Sequence, residues 1–294
     1  MNPRGLIWTC AVAVLLLSGC TPNNTMTDAD AAAASEAAKA RAGVPTESST
    51  SGSDSTAPAS APPQPAALAR NPIYRVGKLP AAGCVEPPYE ATSLANVRAY
   101  FTQYLGCLNK AWAPAIRKAG FTFTPPKLVV VLGQSPSSPC DVDDGRDYYC
   151  GGTIYMDAAT HIQLSREDPE EARAWMALEI GHEYGHHVQA LTGMLTALYN
   201  RRLTLNGVDA HLEDNRRMEL QASCFSGVYI GADRKHFPVT PEWLDVWSVV
   251  IRNTIDSQHD HGKGENHGHW TTAGLDAADP GACNTYPVAS SLVS

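Results

Sequence analysis

The sequence is short of positive charge. It carries 22 Lys and Arg against 30 Asp and Glu, a formal net charge of −8 over 294 residues, and no stripe of basic residues. That leaves out the electrostatic footprint of a nucleic-acid-binding protein, so no nucleic-acid partner is expected. Long apolar runs are also missing: beyond residue 17 nothing is long and apolar enough to cross a bilayer. The absence of a Cys-x-x-Cys pair disfavours a cysteine-built zinc site, and the absence of a Gly-x-Ser-x-Gly elbow disfavours a serine hydrolase. No internal repeat occurs. Residues 21–70 lack aromatics and are rich in Ala, Ser, Thr and Pro. Such a segment buries too little apolar surface to offset its chain entropy.

The first residues read as an export signal. Arg4 supplies the positive region, Leu6 to Leu17 the short apolar run, and Leu17-Ser18-Gly19-Cys20 closes it. An ordinary secretory signal also ends in small residues. The terminal cysteine, however, resembles the lipobox of bacterial lipoproteins, and that resemblance implies removal of residues 1–19 and a diacylglycerol on Cys20. The expected location is the extracytoplasmic face of the cell membrane, held by the lipid anchor. Residues 20–71 then form a disordered stalk, and 72–288 one compact domain, in one or two lobes.

Of the 8 cysteines, Cys10 leaves with the signal and Cys20 is lipidated. Cys84, Cys107, Cys140, Cys150, Cys224 and Cys283 remain, an even set in an exported domain, which suggests disulfides. Proximity in the chain favours Cys84–Cys107 and Cys140–Cys150, leaving Cys224–Cys283. Paired cysteines are not nucleophiles, which argues against a cysteine protease.

Within the domain, Leu94, Val97, Phe101, Tyr104, Leu105 and Leu108 recur at three and four residues, predicting a helix over Ser93–Ala119 that Gly120 ends. Lys127–Leu132 reads as a buried strand and Thr153–Asp157 as a second. Asp168-Pro169-Glu170-Glu171 opens a helix with an N-cap, a first-turn proline and acids at its positive end. It is expected to reach about Leu191, with Gly193 as its stop. Further helices are expected over about Leu212–Ile230 and from Thr240 to about Thr254, with the Gly- and His-rich stretch His259–His269 as a loop. The class is α+β, mainly helical with a small sheet.

The most informative stretch is His182-Glu183-Tyr184-Gly185-His186, inside that capped helix. Histidines four apart lie one turn from each other on one face and can offer two imidazole nitrogens to one metal ion. The glutamate beside the first is placed to take a proton from a water at the metal. The plain alternative is a surface helix with ordinary histidines. A catalytic zinc needs a third protein ligand, for which Glu219, 33 residues after His186, is the candidate.

Gly181-His-Glu-Tyr-Gly-His-His-Val-Gln189 and Glu219-Leu-Gln-Ala-Ser-Cys-Phe-Ser-Gly-Val-Tyr229 resemble the neutral zinc metallopeptidase family of bacteria. Tyr149-Cys150, Ile154-Tyr155-Met156-Asp157, His267-Gly268 and Asp279–Tyr286 extend the resemblance over about residues 80–287. It implies a zincin-like fold, one Zn2+ held by His182, His186 and Glu219, and Glu183 as general base. The strand Thr153–Asp157 is a candidate sheet edge for receiving an extended substrate by strand addition. Ser223 departs from the family pattern, which has an aspartate there to support a ligand histidine. The Arg and Trp-Phe signature after His-Gly is eroded at His269–Gly274.

Two functions follow. The first is a membrane-tethered zinc endopeptidase acting on peptides or proteins, favoured by the intact Glu183 and ligand set. The second is a catalytically weak, zinc-stabilised binding or assembly module at the cell surface, favoured by Ser223 and the altered C-terminal signature. His267 is a candidate donor to the oxyanion, or else a solvated loop histidine. His259, His261 and His269 read as a polar loop, His187 as pointing away from the metal, and Tyr155 and Asp157 as either cleft or plain strand residues.

Overall fold

The computed structural model describes residues 64–133, 140, 147–254 and 256–294. The expected signal, Cys20 and most of the stalk lie outside the described residues. Packed chain begins within the stretch read as stalk. In helix α1 (Ala66–Ala69) Leu68 is fully buried, and the buried Asn71 side chain donates to the Thr192 carbonyl at 3.0 Å. It also continues past residue 288, since Val293 is fully buried and Trp270 donates to the Leu292 carbonyl at 2.8 Å.

Helix α2 (Leu94–Lys118) is capped by Ser93, whose hydroxyl accepts from the Asn96 amide at 3.2 Å, and the chain leaves it through Gly120 at φ +90°. Its Phe101, Tyr104, Leu108 and Trp112 enter the core. Strands β1 (Lys127–Val131), β2 (Tyr148–Cys150) and β3 (Thr153–Asp157) form one sheet in the order β1-β3-β2, β1 parallel and β2 antiparallel to β3. Thr153–Asp157 is therefore the central strand. Its backbone is engaged on both sides, so it is not the candidate edge read from the sequence; among the described residues β1 and β2 are the edges. Tyr155 stacks on Tyr148 with ring centroids 4.7 Å apart, and Asp157 caps the next helix through the Ala159 amide at 2.9 Å. Both do structural duty.

Helix α3 (Ala158–Glu167) leads into α4 (Pro169–Leu191), where Asp168 accepts from the Glu170 and Glu171 amides at 3.1 and 3.0 Å. Gly193, at φ +75°, turns the chain into α5 (Met194–Arg202). Then come α6 (Val208–Ala232), α7 (Pro241–Arg252) and α8 (Gly264–Ala277). The expected loop over His259–His269 is corrected here: its second half is the first part of α8. Glycines on both helices let α8 lie in backbone contact with α6. A Cβ on Gly227 or Gly231 of α6 would strike the carbonyls of Thr271 or Leu275, and one on Gly274 that of Cys224. The helix is held by this close approach, which overrides weak local propensity. Disulfides join Cys84–Cys107, Cys140–Cys150 and Cys224–Cys283, the pairs that chain proximity favours, and the last ties α6 to the segment after α8. Among the described residues no helix is long and apolar enough to cross a membrane.

Candidate metal centre

Two small residues decide how the site is assembled. Gly181 and Gly185, one turn apart on α4, lie against Ser226 and Ala222, one turn apart on α6. A Cβ on Gly185 would sit 2.7 Å from the Ala222 Cα. The two helices thus run in opposite directions with their backbones nearly touching, and Glu219, one turn before Ala222, comes level with His182 and His186. His182 Nε2 and His186 Nε2 are 3.1 Å apart, and Glu219 Oε2 is 3.2 and 3.1 Å from them. Tetrahedral zinc with ligands at about 2.0–2.1 Å sets its donors about 3.3 Å apart. Two imidazole nitrogens and a carboxylate oxygen in a near-equilateral triangle of that size fit zinc in chemistry and in spacing.

The other imidazole nitrogens are held from behind. With Nε2 directed to a metal, each Nδ1 carries the proton. His182 Nδ1–H donates to Ser223 Oγ at 2.9 Å, and the Ser223 hydroxyl donates onward to His267 Nδ1 at 3.0 Å. His186 Nδ1–H donates to Gln189 Oε1 at 2.9 Å. Gln189 Nε2 in turn donates to the Met218 carbonyl at 2.8 Å and to Gln221 Oε1 at 3.1 Å. Such supports fix ring orientation and tautomer. His267, a candidate for the reacting oxygen from sequence, is instead a buried helical residue behind Ser223, and burial lowers its pKa to about 4. Gln189 was missed, although its place three residues after His186 put it within reach on the same helix face. Ser223→Ala is expected to weaken zinc affinity by about 10–100-fold, measured by competition with a chelator of known affinity.

A cavity of about 220 Å³ opens beside the three donors, lined by Tyr149, His182, Glu183, His186, Leu195, Met218, Glu219 and His261. Glu183 is 4% exposed, and its Oε2 is buried without a hydrogen-bond partner. Burial lifts its pKa to about 8, with Glu219 and Asp147 adding to the rise and His186 opposing it. A cation at the three donors works in the opposite direction and favours the carboxylate. Burial penalises the His186 imidazolium, but Glu219 outweighs it and raises His186 to about 9, while His182 is lowered by its burial.

His187 faces away from the donors, as expected, yet it supports the cavity wall. Its Nε2–H donates to the Thr124 carbonyl at 2.7 Å, which leaves Nδ1 to accept from the Tyr149 hydroxyl at 3.2 Å. His261 is the second residue that sequence reasoning missed. Nothing local separates it from His259 or His269. Glu219 first, against burial, and then Asp260 and Asp256 raise it to about 9.

Residues 89–244, more than half the chain, match the family described as "Putative neutral zinc metallopeptidase". The match takes in His182, Glu183, His186, Glu219 and Ser223 and stops before His261 and His267. The chain is 28% identical over 202 residues to an uncharacterized protein of Escherichia coli strain K12, YpfJ, covering 62% of this chain and 69% of that protein. It is also 28% identical over 133 residues to an uncharacterized protein of Mycobacterium tuberculosis strain H37Rv, covering 37% of this chain and 43% of that one. No solved structure matches.

Proposed function

The chain belongs to the neutral zinc metallopeptidase family, and from that premise we propose that it is a zinc endopeptidase that hydrolyses peptide bonds at the cavity beside His182, His186 and Glu219. The observation that carries this reading is a buried carboxylate oxygen without a partner, on Glu183, beside three converging metal donors. One Zn2+ at those donors supplies Lewis acidity, polarising a carbonyl and acidifying a water. The remaining work belongs to the chain. Glu183 takes a proton from the attacking water as its oxygen bonds to the carbonyl carbon. It then passes that proton to the amide nitrogen as the C–N bond breaks, and the water's second proton follows to the amine, leaving a carboxylate and a protonated amine. No covalent intermediate with the protein is required.

The bond from His182 to Ser223 at 2.9 Å supports a peptidase over a catalytically weak binding module, because the serine keeps a support for the ligand ring. The apolar run Leu6–Leu17 and the ending Leu17-Ser18-Gly19-Cys20 support an anchor on Cys20 and work at the extracytoplasmic face of the cell membrane. Three disulfides among the domain's cysteines suit that compartment.

The test is metal removal. Stripping the full-length protein with a chelator is expected to abolish cleavage of a fluorogenic peptide library, and about one equivalent of zinc to restore it. Cleavage that survives complete zinc removal would overturn the reading.

A further inference from the structure

We infer that His261 is a catalytic residue, donating its Nε2–H to the carbonyl oxygen of the scissile bond as negative charge develops there. The inference rests on the peptidase reading and adds a residue from outside the segment that matches the family.

Three observations carry it. First, His261 lines the same cavity as His182, Glu183, His186 and Glu219. Second, it stands outside the group of three whose donor atoms all lie within 4.8 Å of one another. As placed, its ring does not join that donor set, yet it lines the same space, where a substrate oxygen would lie. Third, its ring is held at both levels on which a donor depends, tautomer and position. His261 Nδ1 donates to Asp260 Oδ1 at 2.7 Å, and the side chain is 48% exposed, which leaves Nε2 as the nitrogen free to meet a substrate.

The loop beneath it is tied down on α6. The Asp256 carboxylate accepts from the amides of Asp260, His261 and Gly262 at 3.0, 3.3 and 2.7 Å. Asn215 donates to the Asp260 carbonyl at 3.1 Å and Arg216 to the His259 carbonyl at 2.6 Å. Gly262, at φ +94°, lies against Leu220, where a Cβ would come within 3.0 Å of the leucine side chain. These contacts set the loop on the turn of α6 that carries Glu219. They also answer the other use of the Asp256–Asp260–His261 cluster, a second cation site. The oxygens of Asp256 are already engaged by three backbone N–H groups, and Asp260 by His261. A donor aimed at developing charge, with its ring oriented by a carboxylate, is the arrangement that stabilises an acyl-transfer transition state without reorganisation.

The experiment compares full-length wild type, His261→Ala and His261→Gln, each zinc-loaded, on a peptide that wild type cleaves. It also measures binding of the phosphonamidate analogue of that peptide, whose tetrahedral oxygens imitate the transition state. For His261→Ala, kcat is expected to fall about 100-fold or more. KM, zinc content and melting temperature stay near wild type, and affinity for the phosphonamidate falls in parallel with kcat. His261→Gln, which keeps an N–H at similar reach, is expected to regain at least about tenfold of the loss. The assignment is overturned if His261→Ala turns over within about threefold of wild type, if it loses zinc, or if His261→Gln regains nothing. Zinc-loaded wild type that cleaves no peptide sinks the peptidase reading and this assignment with it. Wild type that cleaves beside an equally fast His261→Ala sinks this assignment alone.

Discussion

Glu183→Gln is expected to lower kcat by about 10²–10⁴-fold while the protein keeps its zinc. The amide matches the carboxylate in size but cannot accept a proton and pass it on. None of the three converging donor atoms belongs to Glu183, so the metal group is left whole. The substitution also relieves a cost, since the buried Glu183 carboxyl is already raised to about 8 and its Oε2 makes no hydrogen bond. Stability is therefore expected to hold or to rise. The measurement is steady-state turnover beside elemental analysis of the same preparation. Undiminished turnover would remove Glu183 from the reaction, and lost zinc would move it into the metal site.

Glu219→Ala should lose zinc outright, by more than the ~10–100-fold that a supporting partner commands. Glu219 supplies the only carboxylate among the three converging donors, and it is 6% exposed, so water replaces it poorly. The pH dependence distinguishes this from general damage. In metal-free wild type, burial opposes the charged form of His186, but Glu219 prevails and holds it at about 9. Below that pH zinc must displace a proton, so affinity is expected to rise about tenfold per pH unit from neutrality toward 9 and to level off beyond it. Acidification releases the metal. Without Glu219 the imidazole loses the group that raises it, and whatever affinity is left should vary more weakly with pH over this range. Equal zinc retention by wild type and Glu219→Ala at neutral pH would show that the third ligand has been assigned to the wrong residue.

The parts of this protein legible in the bare sequence are those governed by local geometry. His182 and His186 share a helix face because they are four residues apart, and Asp168 caps their helix because its side chain reaches amides two and three residues on. Two disulfides join cysteines 23 and 10 residues apart, and the third takes the remaining pair. The tertiary structure alone decided the rest. Glu219 reaches the donors because Gly181 and Gly185 let α6 come within backbone contact of α4. Strand order is non-local in the same way: β1 and β2 both pair with β3, which no feature of Thr153–Asp157 reveals. The clearest case is the run His259–His269, where His259, His261 and His269 look alike in one dimension. Burial of α8 against α6 turns His267 inward to Ser223, while Asp256, Asn215 and Arg216 hold His261 over the cavity. Residue type and short spacing follow from the covalent chain. Which of several equivalent side chains meets the metal site depends on contacts between segments that only folding brings together.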